Sequence, residues 1–188
     1  MPTERATSPR WPTRRGQHPP SRRAPRSPHS RLVPEEAFAL VVANEPLVAI
    51  DLLVQDAARR VLLGWRGDSQ GQGHWLVPGG RLRKEESLAA AFARISEEEL
   101  GRSFHVEQSV FVGLYQHFYP DGHPGHAQRA THYVALAHRL WSGDARRPLP
   151  LPIRRAGDSL RAGWRWEGRR AAAADPAVHP FSRAYFGG

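Results

Sequence analysis

Three glutamates stand in a row at the end of a helical stretch, Glu97, Glu98 and Glu99, followed by Leu100 and Gly101. At 100° per residue, Leu88, Ala91, Phe92 and Ile95 fall on one face of that helix. Glu99 falls inside the same stripe, and Glu98 sits at its edge, one turn after Arg94. A carboxylate on a buried face is unfavourable unless a cation or hydrogen bonds compensate it. Acids in a last turn also meet the negative end of the helix dipole, and like charges so close repel. A bound divalent cation would relieve both effects. A last turn projecting into solvent would relieve them too, and the helix alone does not choose between the two.

The elements that must position these acids follow from local pattern. The spacing predicts a helix over Glu35–Asn44, with Phe38, Val41 and Val42 on one side and Pro46 stopping it. Leu47–Val54 and Arg60–Trp65 read as strands joined by the polar turn Asp56–Arg59. Gly67–Gly73 reads as a glycine-rich loop and His74–Val77 as a short strand ended by Pro78-Gly79-Gly80. The helix that carries the acids then spans about 85–100, with Gly101 where a left-handed residue is favoured. Val110–Tyr119 and Thr131–Trp141 read as strands flanking a polar loop, and 142–163 as irregular. Trp164–Glu167 reads as a final strand, and Ala171–Ala174 as the start of a last helix. Strands mixed with two or three helices, without regular alternation, indicate an α+β or mixed α/β sandwich.

Composition bounds the rest. A chain of 188 residues suits one domain with a real core, and its 40% apolar content is that of a globular protein. With no cysteine, disulfides, zinc–thiolate sites and a cysteine nucleophile are excluded. This fits a cytoplasmic protein, and no apolar run approaches the roughly 20 residues that span a bilayer. The net charge is +9, but residues 1–30 hold seven arginines against one acid, which leaves about +3 for residues 31–188. Rich in Pro, Ser and Arg, residues 1–30 cannot bury enough surface to offset ordering entropy and are expected to be a disordered basic tail. Nucleic acid is not an expected partner of the domain at 31–188, because the basic excess is confined to the tail and lacks interleaved aromatics beyond Trp11.

Gly80, five residues, Glu86, seven residues, Arg94, then Glu98, Glu99 and Gly101 resemble the Nudix box, G-x5-E-x7-R-E-U-x-E-E-x-G-U, in which U is a bulky aliphatic. The glutamate after the arginine is Ile95 here, and the U positions are Ser96 and Arg102. GDP-mannose mannosyl hydrolases lack that same glutamate. The chain is similar to them in seven ordered blocks: residues 46–51, 62–66, 77–81, 90–94, 116–119, 131–133 and 182–186. The similarity covers roughly residues 32–186.

The resemblance implies a Nudix fold, a mixed β-sheet sandwiched between helices, usually in a homodimer. It implies an Mg²⁺-dependent hydrolase, with Mn²⁺ as a second candidate ion, that converts GDP-mannose and water to GDP and mannose by attack at the anomeric carbon. By similarity, the Gly79 carbonyl and Glu99 would bind the metal, with Glu98 as an added carboxylate. Arg66 and Arg81 would hold the diphosphate, Tyr133 would donate to it, Asp51 and His117 would contact the sugar, and Arg94 would orient the metal-binding glutamate. These residue types suit the chemistry. Cations stabilise charge growing on the departing GDP, arginine gives forked contacts to phosphate, and an acid near C1 stabilises oxocarbenium character. Taken without the resemblance, Arg66 could be a strand-end surface residue, His117 and Tyr133 core residues, and Arg94 with Glu98 an ordinary helix pair.

The family also places a metal-binding Gln and a general-base His shortly before an aromatic-Arg-Trp strand. Counting back from Trp164-Arg165-Trp166 puts Leu160 and Arg161 there. Leucine cannot ligate a metal, and arginine stays protonated. Asp158, His123 or His126 could substitute, or turnover could be low. Three functions follow: a nucleotide-sugar hydrolase, a Nudix enzyme cleaving a P–O bond of another nucleoside diphosphate derivative through Glu98 and Glu99, and a non-catalytic nucleotide-sugar-binding domain.

Overall fold

The computed structural model describes residues 35–67, 73–119, 130–143, 149–151 and 163–187. The basic tail, the glycine-rich segment 68–72, the polar loop with His123 and His126, and the segment holding Asp158, Leu160 and Arg161 lie outside the described residues.

Among the described residues the elements follow in this order: helix α1 (Glu35–Asn44), strands β1 (Leu47–Gln55), β2 (Arg60–Gly67), β3 (Gly73–Leu76) and β4 (Gly79–Arg81), helix α2 (Leu88–Leu100), a 3₁₀ turn (Val106–Gln108), strands β5 (Ser109–Tyr119), β6 (Thr131–Trp141) and β7 (Gly163–Gly168), and helices α3 (Arg169–Ala174) and α4 (Pro180–Ala184). One sheet runs in the order β3-β2-β1-β6-β5, with β4 on β1 and β7 on β2. Strands β1 and β6 are parallel and the other pairs antiparallel, so the sheet is mixed.

Period-two alternation splits the core. Ile50, Leu52 and Val54 of β1 and Leu62 of β2 pack with Phe92, Ile95 and Leu100 of α2. The alternate residues Leu53, Val61 and Leu63 pack on the other face with Ala172 of α3, Val178, Tyr185 and Phe186. Burying each large apolar side chain contributes about 1.5–3 kcal/mol. Helix α2 starts at Leu88 because the Ser87 side chain accepts the Ala90 N–H. It stops at Gly101, whose backbone is left-handed at φ 69° and whose N–H bonds Glu97 O. A Cβ at Gly101 would lie 2.2 Å from Pro150 O, so glycine is required there twice over.

Several expectations change. Pro78-Gly79-Gly80 does not simply end β3: Gly79–Arg81 forms a three-residue strand on β1, too short to carry a periodic signal. Leu88 lies at the helix edge and is 40% exposed rather than part of the buried stripe, and Val41 is 44% exposed where Val42 is buried. The helix expected to start at Ala171 begins at Arg169, and it is not the last, because α4 follows it. Edge strand β5 presents Val110, Phe111, Val112, Leu114 and Phe118 to solvent. Among the described residues no helix is long and apolar enough to cross a membrane.

Candidate active site

Strands β1 and β2 pair at Gln55↔Val61, and β4 takes the middle of β1 through Ala49↔Arg81, Ile50↔Gly80 and Asp51↔Gly79. The strands therefore part, and the expected site residues gather where they do.

Gly79, Arg66 and Glu99 form one cluster. Arg66 Nη2 donates to Gly79 O at 3.4 Å and lies 3.8 Å from Glu99 Oε2. Glu99 is 8% exposed, so the carboxylate flagged by its place in the apolar stripe is indeed buried. The carbonyl and the carboxylate expected to bind a metal thus converge on one positive charge. Oxygen donors of this kind suit Mg²⁺, which keeps waters and takes phosphate oxygens beside one or two carboxylates. Among the described residues no group of three or more His, Asp or Glu side chains could hold a metal by itself. A cation here would therefore be shared between Glu99, the Gly79 carbonyl and the ligand's own phosphates, and on those terms the residues fit one.

Arg94 and Glu98 belong to a network of ion pairs beside this cluster. Arg94 grips Glu86 with two hydrogen bonds, Nε to Oε1 and Nη2 to Oε2, both 2.7 Å. It also donates to Glu98 Oε2 at 2.9 Å and to Arg81 O at 2.9 Å. Arg83 Nη2 lies 3.3 Å from Glu98 Oε1. Glu98 is thus half-exposed and held by two guanidinium groups, while its neighbour Glu99 turns inward to Arg66. Arg94 ties α2 to β4 and to Glu86, and so sets the helix that carries Glu99 without pairing with Glu99 through these bonds. Its bond holds the Glu86 carboxyl below the ordinary carboxylate range, against the opposing pull of burial.

Asp51, His117 and Tyr185 form the second cluster. Tyr185 donates its O–H to Asp51 Oδ2 at 2.5 Å, and its oxygen lies 2.6 Å from His117 Nε2. The phenol has one hydrogen, so His117 must carry its proton on Nε2. His117 is 5% exposed, and its ring stacks on Phe181 at 4.4 Å. A Cβ on Gly79 would lie 2.5 Å from Asp51 Oδ1, so the Asp51 carboxylate reaches from Tyr185 on one side to Gly79 on the other. Tyr119 and Tyr133 meet edge to face at 5.9 Å beside it. Burial raises the phenols of Tyr119, Tyr133 and Tyr185 well above the ordinary tyrosine value, so each stays a hydrogen-bond donor at neutral pH. The charges of Arg81 and Arg66 act on Tyr133 in the opposite sense. A cavity of about 340 Å³ adjoins this cluster, lined by Val42, Asn44, Pro46, Phe118, Tyr119 and Thr131 among others.

Asp51, Arg66, Gly79, Glu99, Tyr133 and His117 are therefore brought together, with Arg81 on the same short strand as Gly79, whereas Glu98 is engaged by Arg94 and Arg83. Sequence reasoning missed Tyr185, Phe181 and His179. The block Ser182–Phe186 stood out only as part of the resemblance, with no role attached.

His179 caps α4 by accepting the Phe181 N–H at 3.3 Å. Burial first, then the nearby His74, His117 and Arg183, pushes its pKa down to about 4. The unfolded chain, with histidine near 6.5, binds this proton more readily than the fold. Stability should thus be full above pH 6.5 and fall towards pH 4. His179→Asn keeps a capping acceptor and removes the titration, so its urea-unfolding stability should change less between pH 7 and 4.5 than the parent's. Equal slopes in the two proteins would show that His179 does not cause the acid limb.

A family model described as "NUDIX domain" matches residues 45–184. The "Low-salt glycan biosynthesis protein Agl8" of Haloferax volcanii is 36% identical over 112 residues, 60% of this chain and 69% of that protein. Two solved structures share the fold: a MutT Nudix hydrolase from Burkholderia pseudomallei, with TM-score 0.57, 18% identity, and 76% of this chain and 97% of that one covered, and a MutT protein from Methanosarcina mazei Go1, with TM-score 0.53, 17% identity, and 76% and 92% covered. The mixed sheet between helices, the Gly80–Gly101 box on β4 and α2 and the match over residues 45–184 agree, and the chain belongs to the Nudix hydrolase family.

Proposed function

We propose that this Nudix hydrolase cleaves a nucleotide sugar, GDP-mannose or a relative, by attack of water at the anomeric carbon. Nudix hydrolases in general act on nucleoside diphosphate derivatives with divalent metals. The observation that carries the narrower reading is the position of Asp51. Its carboxylate is anchored by Tyr185 on one side and lies against Gly79, whose carbonyl takes the Arg66 guanidinium. An acid suited to a developing oxocarbenium thus stands one residue from cations suited to a diphosphate. The glycan-biosynthesis relative agrees with a sugar substrate.

Asp51 and His117 would face the sugar. Arg66, Arg81 and the Tyr133 hydroxyl would hold the diphosphate. Glu99 and the Gly79 carbonyl would hold Mg²⁺, which when bound neutralises charge on the departing diphosphate. In the reaction the C1–O bond to the β-phosphate breaks, water oxygen bonds C1, the electron pair leaves with GDP, and the water proton passes to a base. Cleavage of a P–O bond through a Glu98–Glu99 pair has less support, because Glu98 is engaged by Arg94 and Arg83.

The test is incubation with GDP-mannose and Mg²⁺, followed by chromatography of the products. GDP and free mannose are expected. With Leu160 and Arg161 standing where Gln and His are usual, the rate is expected about 10²–10⁴-fold below that of an enzyme with its base. GMP with mannose 1-phosphate would replace this reading with phosphoryl-bond cleavage, and Mg²⁺-dependent binding without any product would leave a binding domain.

A further inference from the structure

The geometry points to Tyr185 as a positioning residue, a phenol that bridges the buried His117 to Asp51 and fixes the carboxylate that faces the sugar. The inference rests on the role proposed above for Asp51 and adds a residue from the C-terminal end of the chain, 134 positions away.

Asp51 Oδ2 and His117 Nε2 lie 3.7 Å apart, too far for a direct hydrogen bond. The Tyr185 oxygen closes that gap, at 2.5 Å from one and 2.6 Å from the other. Proton order along the chain is then set. His117 Nε2–H donates to the phenol, and the phenol donates to Asp51. Each group has one way to satisfy the next, so the carboxylate's rotamer and the imidazole's tautomer are fixed together.

The phenol is itself rigidly placed. Tyr185 is 6% exposed in the core cluster that holds Leu53, Leu63 and Val178, and its ring meets Tyr115 edge to face at 4.6 Å. Its backbone N–H bonds Ser182 O. The Ser182 hydroxyl accepts the Val77 N–H at 3.1 Å, which ties the turn bearing Tyr185 to the strand leading into Pro78-Gly79. The phenol and the Gly79 backbone against which Asp51 Oδ1 rests are thus positioned by one connection. Burial keeps the phenol protonated, so it remains a donor to Asp51 throughout the neutral range. His117, held between Tyr185 and the Phe181 ring, is the buried end of the chain, and Asp51, with a side chain 19% accessible, is the end open to a ligand.

The test removes only the hydroxyl. Tyr185→Phe is expected to lower kcat for mannose release by about 10–100-fold, the scale of a misplaced reacting group, with KM within about threefold. In an Asp51→Asn background the same change is expected to reduce kcat by less than about threefold, because both changes act through one carboxylate. A Tyr185→Phe enzyme within about twofold of the parent kcat, or losses that multiply in the double variant, would overturn the inference. Ring-nitrogen NMR of His117 in the ligand-free protein reads the same arrangement without turnover. A proton on Nε2 in the parent, with that preference lost in Tyr185→Phe, supports the bridge, and a proton on Nδ1 in the parent overturns it. A parent that releases no mannose defeats the functional reading alone, and the NMR result then decides the role of Tyr185.

Discussion

Glu99→Gln is expected to lower Mg²⁺-dependent turnover by about 10²–10³-fold, the scale on which removal of one preorganised electrostatic group acts in a water-poor site. Glu99 is 8% exposed at the end of α2 and lies 3.8 Å from Arg66 Nη2, on the same guanidinium that bonds Gly79 O. Glutamine keeps the shape and one oxygen acceptor but removes the charge, so a divalent cation loses the carboxylate that Glu99 supplies. The fold should be nearly unaffected, since the substitution is isosteric and removes a buried charge that the helix dipole disfavours. Isothermal titration with Mg²⁺ in the presence of GDP, together with the melting temperature, separates the two effects. Unchanged Mg²⁺ affinity at unchanged stability would move the metal away from Glu99. The paired control is Glu98→Gln, whose carboxylate is spent on Arg83 and Arg94. It should leave Mg²⁺ affinity nearly as it was.

Arg94→Ala should act on stability instead. The side chain is 19% accessible and its partner Glu86 14%. Arg94 makes two hydrogen bonds to Glu86, one to Glu98 and one to Arg81 O, and so fastens α2 to β4. Its loss leaves the Glu86 carboxylate with the Arg83 N–H and little else from this bridge. Breaking a fully buried ion pair costs about 3–5 kcal/mol. The partial accessibility here reduces that to about 2–3 kcal/mol, a fall of about 5–10 °C in Tm for a domain of this size. The pH dependence has a definite sign. The folded Glu86 pKa lies below its unfolded value because of the Arg94 bond. The pair's contribution is therefore present above the unfolded pKa, near 4.3, and disappears as pH falls through the folded value. Parent and variant should differ in Tm at pH 7, and the difference should shrink as pH falls through the folded Glu86 value. A difference that persists undiminished at pH 3 would assign the effect to lost packing of the arginine stem.

The features legible in the sequence were those with a local period. Glu99 was visible because a 100° turn per residue places it in the stripe of Ala91, Phe92 and Ile95, and the structure buries it there. Strands β1, β2, β5 and β6 were legible from β-branched runs, within a residue or two at each end. Residues that work across the fold were not. The Arg94–Glu86 bridge spans the turn ahead of α2, eight positions apart, and the box resemblance directed Arg94 to a different glutamate. Strand β4 has three residues, two of them glycine, and no pattern could show it. Tyr185 meets Asp51 only because α4 docks on β3 through Ser182 and through the backbone bonds Trp75 N–H to Ala177 O and His179 N–H to Trp75 O. No window along the chain contains that contact. Leu88 shows the opposite error: its helical angle is right, but α2 begins with it, and its side chain stays 40% exposed.

The account turns on which bond breaks, and oxygen isotope labelling reads that directly. GDP-mannose is hydrolysed with Mg²⁺ in water enriched in ¹⁸O, and both products are analysed by mass spectrometry before the sugar's anomeric hydroxyl exchanges. If Asp51 and its partners act at the anomeric carbon, the label enters mannose and GDP carries none. Label in a phosphate oxygen of the nucleotide or of mannose 1-phosphate would contradict it, and would place the attacked atom at phosphorus.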